Sequence, residues 1–489
     1  MTISPEHTAA RYRVAAEWRT GDGRSDLPVV SPVDGSVLGT VHEFGHAEID
    51  EAFAAAARGQ RRWAARSVNE RATLLHAWAD LLVEHAAEIG EVLMMEVAKA
   101  RKDARDEVVR SGDYVHHTAE DAKRLIGESQ FSDSFPGQVR NKLAVVHRVP
   151  LGTVLAIPPF NYPVNLAVSK IAPALVTGNA VILKPPSQGA LSGLRMCELA
   201  YEAGIPADVL QVVTGRGSRI GDYLVQHGSV DAISFTGSSE TGRDLSRKAG
   251  MVPLMLELGG KDAAIVLADA DLEATAADIV AGAFSYSGQR CTAVKRVLVV
   301  EEVADELTRL IAGRVAKLSV GDPREDCTVT PLVDADSAVG AERLVTAAVA
   351  TGADVVCGGT REGNLVQPTV VNHVTAEMEL AWVEPFAPVL PIIRVVNAAE
   401  AVRLSNESEY GLQGAIFTSD INAAIQIAAR LDVGTVQVNG RTARGPDHFP
   451  FLGTKSSGMG TQGVRPAIES MTRVKSLVIN LHDKDLTAV

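Results

Sequence analysis

The chain has 489 residues, a formal net charge of -13 at pH 7, 22% charged residues and 46% hydrophobic residues. That length suggests about two or three domains, each with its own apolar interior, and the near-average composition excludes disordered, collagen-like and coiled-coil chains. Negative charge spread along the chain argues against nucleic acid as a partner while leaving room for a local basic pocket.

The first residues, Met-Thr-Ile-Ser-Pro-Glu-His, lack the basic-then-apolar order of a signal peptide. No uncharged apolar run of about 18 residues appears, so neither export nor a membrane span is expected. The four cysteines, Cys197, Cys291, Cys327 and Cys357, form no CxxC pair and no metal or disulfide framework, which fits a reducing cytoplasm.

From Ala47 to Trp63, and from the capping-box-like Ser67-Val-Asn-Glu70 to Ile89, alanine and leucine recur at helical spacing, so the N-terminal region reads as largely helical. After Gly137 the texture changes. Leu143–Val149 and Gly152–Ile157 read as strands, followed by a helix opening at Pro163, whose missing N–H suits a first turn. Then come strand Ala180–Lys184, helix Gly189–Ala203, strand Leu210–Val213, helix Arg219–His227 and strand Ala232–Phe235. A second series runs through strand Ala263–Leu267, helices Leu272–Phe284 and Ala304–Leu318, and strand Val389–Val395. Strands alternating with helices at this spacing imply parallel βαβ units, hence an α/β fold with two such domains.

Six places in this pattern carry chemistry. Cys291 lies among small and hydroxylated residues in Ser285-Tyr-Ser-Gly-Gln-Arg-Cys-Thr292, where a thiolate could attack a carbonyl carbon; a small buried side chain is the alternative. Gly215-Arg-Gly217-Ser-Arg-Ile-Gly221 is one residue too long for a dinucleotide fingerprint. Phe235-Thr-Gly237-Ser-Ser-Glu-Thr-Gly242 follows a strand and opens a helix, as a phosphate-binding turn or an ordinary one does. Glu257, in Leu254-Met-Leu-Glu-Leu-Gly-Gly-Lys261, is a carboxylate among apolar neighbours, suited to a general base or to a buried pair with a lysine. Asn161, in the turn Ile157–Pro163, can donate its amide to an oxyanion or to the local backbone. Lys184 stands at the carboxyl end of a strand, where open α/β sheets bind ligands, and a solvated surface lysine is the other reading.

The order Asn161, Lys184, Gly237, Glu257, Cys291, Glu384, with these flanking residues, strongly resembles the aldehyde dehydrogenase superfamily over nearly the whole chain. Four segments are similar in particular to its non-phosphorylating, NADP-dependent glyceraldehyde-3-phosphate dehydrogenases: Pro159-Phe-Asn-Tyr-Pro163, Gly282–Lys295, Glu384-Pro-Phe386 and Phe449-Pro-Phe-Leu-Gly453. The resemblance implies two Rossmann-like parallel-sheet domains plus a β oligomerisation arm: residues 1–128 and 148–257 binding the cofactor, 258–473 catalytic, and 129–147 with 474–489 forming the arm of a homotetramer.

It also implies roles. Cys291 is the nucleophile, Asn161 and the Cys291 N–H hold the oxyanion, and Glu257 activates the water that hydrolyses the thioester. Lys184, Ser187, Asp222, Gly237, Ser238 and Glu384 bind the cofactor. Ser187 stands where NAD-preferring relatives often carry a glutamate that repels a 2′-phosphate, so NADP is expected, with NAD weaker. The nearest group carries threonine there. Arg110, Tyr162, Arg290, Thr292 and Arg444 meet the substrate phosphate, for which guanidinium forks suit the dianion. No metal is implied. Ala387 replaces a glycine common in relatives, a change expected to disturb the ribose contact of Glu384. A semialdehyde acid as substrate, or a catalytically retired structural member, are the alternatives.

Overall fold

The computed structural model describes residues 11–15, 17–20, 26–125 and 127–481. The expected arm residues 482–489, and residues 1–10 of the first domain, lie outside the described residues.

Two sheets organise the chain. The first has six strands in the order Gly458–Met459, Leu254–Glu257, Ala232–Thr236, Thr153–Ile157, Ala180–Leu183, Leu210–Val212, all parallel except the first. The second has seven, ordered Asp354–Cys357, Thr369–Asn372, Val389–Val395, Arg296–Val300, Ala263–Val266, Gln413–Phe417, Thr435–Val438, with only Asp354–Cys357 antiparallel. Both sheets are covered by helices, and the period-2 alternation of strand side chains feeds a separate core on each face. Val154, Ala156, Val181 and Leu183 enter one core of the first sheet, while Leu155, Ala180, Ile182 and Ile233 enter the other. In the second sheet Ala263, Ile265 and Leu298 face one way, and Ala264, Val266, Val297 and Val299 the opposite way. Burying each such Val, Leu or Ile contributes about 1.5–3 kcal/mol.

The expected strands and helices recur with shifted ends. The helix expected at Pro163 spans Asn165–Val176, and those expected at Arg219–His227 and Ala304–Leu318 span Gly217–Gln226 and Glu301–Val315. The single helix expected from Ser67 to Ile89 is two, Val68–Glu84 and Ala86–Val97, parted at His85, whose φ of -91° and ψ of 12° leave the helical range. Ser67 and Glu70 do form a reciprocal capping box. The N-terminal region is less helical than its composition implies, because hairpin Asp26–Val30 and Val37–His42 precedes the helices.

A third, three-stranded sheet joins Thr472–Asn480, Lys142–Pro150 and Glu128–Phe131 in antiparallel register. The chain-order division also cuts across the packing. Gly458–Met459 pairs with Leu254–Glu257, and Val464, Ile468 and Met471 enter the first sheet's core, although all lie within 258–473.

Candidate active site

The carboxyl ends of four parallel strands of the first sheet lead into Asn161, Lys184, Gly237 and Glu257, at the edge where such sheets place ligands. Opposite them lie two segments that precede strands of the second sheet: 285–295 before Arg296–Val300, and 384–388 before Val389–Val395.

Helix Leu272–Phe284 delivers the chain to Cys291 through a kinked turn. Tyr286, Ser287 and Gly288 all have positive φ, at 51°, 53° and 69°. Such a run is costly for side-chain-bearing residues and is held by its surroundings. Ser287 Oγ donates to the Thr330 carbonyl and accepts from its N–H, each at 2.8 Å, and Gln289 Oε1 accepts from Val333 N at 3.0 Å. A Cβ on Gly288 would stand 2.4 Å from the Ala387 carbonyl oxygen, so only glycine fits. Cys291 is half-buried. Burial, reinforced by the Glu257 charge, pushes its thiol up to about 12, opposed by the nearby cations Lys295 and Arg444.

Asn161 Nδ2 donates to the Gln289 carbonyl at 2.8 Å, which ties the turn to the cysteine segment. An amide carries two N–H donors, so one remains for an oxyanion. Two residues without any sequence signal hold this turn. Lys99 Nζ donates to the Asn161 carbonyl at 2.6 Å and pairs with Glu107, whose Oε1 accepts from Val164 N and Asn165 N at 3.0 Å each. The Lys99 ammonium also lies over the rings of Tyr162 and Tyr286, 3.8 and 4.4 Å from their centroids.

Glu257 is buried, and its partner is Arg444 rather than a lysine, with Nη1 at 2.9 and 3.1 Å from the two carboxylate oxygens. Thr236 Oγ1 donates to Glu257 Oε2 at 3.2 Å and accepts from Lys170 Nζ at 2.6 Å. Burial pulls the Lys170 ammonium down to about 8, while the Glu257 charge opposes that fall. Lys170 sits inside an entirely buried helix, where an apolar pattern conceals it.

On the cofactor side, Lys184 is buried rather than solvated. Its Nζ donates to the Pro185 carbonyl at 3.0 Å, and burial draws its pKa down to about 8. Ser187 is exposed. A Cβ at Gly237 would meet the Phe235 ring at 2.5 Å, so glycine keeps this turn low, and Ser238 caps helix Ser239–Lys248 by accepting from Thr241 N at 3.2 Å. Glu384 lies 2.9 Å from Lys295, yet its buried Oε1 has no aligned hydrogen-bond donor among the described residues. An orphaned acceptor, a low glycine turn and a buried lysine beside a neutral serine fit a dinucleotide with hydroxylated ribose and an added phosphate. Ala387 packs in the core without positive φ, which falls on Phe386 at 47°, so it needs no glycine-like backbone. Asp222 is exposed, and both its oxygens lie 2.8 Å from Lys248 Nζ. In the fingerprint-like 215–221 segment, Arg216 N is taken by Glu43 at 3.0 Å, an arrangement that suits no phosphate.

The arginines converge beside Glu257. Arg110 forms a fork with Asp447, both contacts at 2.6 Å, and reaches the Arg444 carbonyl at 3.2 Å. Arg444 Nη2 donates to Gln462 at 2.8 Å. Arg110 and Arg290 both lie close enough to Tyr162 for their charges to oppose the rise of its phenol to about 12 on burial. Arg290 donates to the Gly282 carbonyl, and its buried Nε has no hydrogen-bond partner among the described residues. Thr292 is buried, its carbonyl accepting from Thr442 Oγ1 at 2.9 Å. Sequence reasoning missed Asp447 and Gln462, which only tertiary folding brings to the arginines.

Fold and site define a two-sheet α/β protein with a half-buried thiol between groups that fit a dinucleotide and a cluster of arginines. The aldehyde dehydrogenase family model matches residues 18–477, and the chain belongs to that family. It is 50% identical over 479 residues to the NADP-dependent glyceraldehyde-3-phosphate dehydrogenase of Triticum aestivum, covering 98% of this chain and 96% of that protein. It is also 50% identical over 468 residues to the enzyme of the same name from Streptococcus equinus, covering 96% and 98%. Among solved structures, the NADP-dependent glyceraldehyde-3-phosphate dehydrogenase of Bacillus halodurans C-125, complexed with NADP, aligns with a TM-score of 0.95 at 52% identity, covering 97% of this chain and 100% of that one.

Proposed function

We propose that the chain oxidises D-glyceraldehyde 3-phosphate to 3-phosphoglycerate with NADP and without inorganic phosphate. The observation that carries this reading is the gathering of Arg110, Arg444, Arg290 and Tyr162 beside Cys291 and Glu257. The chain is also 50% identical, over nearly its full length, to relatives named for that substrate and cofactor.

In this reading Cys291 gives up its thiol proton to solvent and its Sγ bonds to the aldehyde carbon. The oxyanion that results accepts the free N–H of Asn161 and the N–H of Cys291. NADP, when bound, would supply the acceptor for the hydrogen and its electron pair lost from that carbon. Cys291 is then acylated as a thioester. Glu257 removes a proton from water, whose oxygen attacks the thioester carbon, and Cys291 leaves as thiolate. Water is the only nucleophile in this second half, so the product is a carboxylate. Lys184 and Ser187 would hold the 2′-phosphate side of the cofactor and Glu384 a ribose, with Gly237 and Ser238 on the diphosphate. Arg110, Arg290, Arg444, Tyr162 and Thr292 hold the substrate phosphate end.

A homotetramer built through the three-stranded arm belongs to the same reading, supported by exposed Val474, Leu477 and Val478 on Thr472–Asn480. A cytoplasmic setting is supported by the four free cysteines.

The test is initial-rate formation of reduced nicotinamide with D-glyceraldehyde 3-phosphate, with NADP and NAD in parallel and phosphate omitted. The expected result is NADP-dependent turnover that collapses with unphosphorylated glyceraldehyde. Turnover confined to a semialdehyde acid overturns the substrate, and no turnover with any aldehyde returns the chain to a structural role.

A further inference from the structure

We propose that Lys295 is a positioning residue that ties the backbone of the nucleophile to the carboxylate seating the cofactor ribose. The ribose half of this statement rests on the function proposed above.

Lys295 closes the cysteine segment, immediately before strand Arg296–Val300, and its side chain is 2% exposed. Its Nζ donates to the carbonyl of Cys291 and lies 2.9 Å from Glu384 Oε1, while its own N–H is fixed on the Asp262 carbonyl at 2.9 Å. A buried ammonium is retained only where its charge and its three donors are matched, and here two of the matching groups belong to the site itself.

The other charged groups around it are committed elsewhere. Lys261 Nζ donates to the Val383 carbonyl at 2.7 Å, Arg296 spreads over the carbonyls of Lys261, Ala381 and Ser405, and Asp262 Oδ1 accepts from Gln413 N at 3.1 Å. Among the described residues, Lys295 alone bridges Cys291 and Glu384. Its stem therefore fixes the peptide that follows Cys291, and its charge sets where the Glu384 carboxylate rests. The same charge acts on the Cys291 thiol, which also faces Glu257, Arg444, Lys170 and Glu384.

The test compares full-length wild type, Lys295→Met, Lys295→Arg and Glu384→Gln in three measurements: NADP titration, thermal melting, and the rate profile of Cys291 alkylation by iodoacetamide between about pH 7 and 9. Lys295→Met is expected to weaken NADP binding about tenfold and to slow Cys291 alkylation at a given pH about tenfold. Lys295→Arg keeps the charge and returns most of the alkylation rate. Glu384→Gln, which removes the neutralising carboxylate and leaves Lys295 in place, speeds alkylation. If Lys295→Met fails to fold, the Arg and Gln variants carry the test through these opposed expectations. Alkylation profiles and NADP affinities equal to wild type in the folded variants overturn the proposal, whatever their melting temperatures, because a merely structural lysine moves only the last. Wild type that binds no NADP would instead overturn the function reading, and the alkylation profiles would still decide the link between Lys295 and Cys291.

Discussion

The cofactor side and the anion side of the cleft are built on opposite terms. On the cofactor side the groups at the sheet edges have few internal commitments: Ser187 is exposed, Lys184 donates to a neighbouring carbonyl, and Glu384 Oε1, ion-paired with Lys295 at 2.9 Å, has no aligned donor among the described residues. On the anion side the two forks are already matched, Arg110 by Asp447 and Arg444 by Glu257 and Gln462. A cofactor can therefore dock on groups that wait for it, whereas a phosphate must displace carboxylates from guanidinium forks. The exchange involves Glu257, proposed above as the general base, since Arg444 holds it.

The sharpest break of this arrangement is Cys291→Ser, which leaves both sides intact and removes the nucleophile between them. Steady-state oxidation should fall by about 10⁴-fold or more, with NADP affinity unchanged by titration. Arg110→Lys comes next, because an ammonium cannot reproduce a fork. Its kcat/KM for the phosphorylated aldehyde should fall about 10–100-fold, while that for unphosphorylated glyceraldehyde stays near wild type. An equal fall for both aldehydes would mean that Arg110 only braces Asp447. Ser187→Glu sharpens the opposite side: a carboxylate facing the 2′-phosphate should weaken NADP about tenfold and leave NAD little changed, read from parallel KM values.

The smallest effect concerns pH. Burial lowers the Lys184 ammonium to about 8, so the group is charged below that pH and neutral above it. The KM for NADP should therefore rise by a few fold as pH climbs through about 8, while the KM for NAD, which lacks the extra phosphate, follows no such rise.

How far the sequence discloses this site depends on where each residue's partners lie. Asn161, Lys184, Glu257 and Cys291 stand at strand ends or in a turn with recognisable flanks; the fold brings Asn161, Glu257 and Cys291 together and places Lys184 at the same edge of the first sheet. The parallel sheets were legible because runs such as Ala263–Val266 are apolar on both faces. Lys99, Glu107, Lys170 and Asp447 were not, since each is one charged residue in an ordinary helical or loop context, and its value arises from contacts across the chain. Asp222 is the converse case. The family pattern gave it a cofactor role, but its oxygens are engaged by Lys248 on the neighbouring helix. The break at His85 was equally hidden, because the alanine and leucine pattern runs on through it.

The division of labour between thiol and carboxylate is tested most directly by rapid mixing of Glu257→Gln with NADP and D-glyceraldehyde 3-phosphate, followed by intact-mass analysis. The account predicts about one reduced nicotinamide per site in the first turnover, a 3-phosphoglyceryl adduct on Cys291, and subsequent turnover slowed about 10²–10⁴-fold. Hydrolysis at the wild-type rate, or a first turnover with no adduct on Cys291, would contradict it.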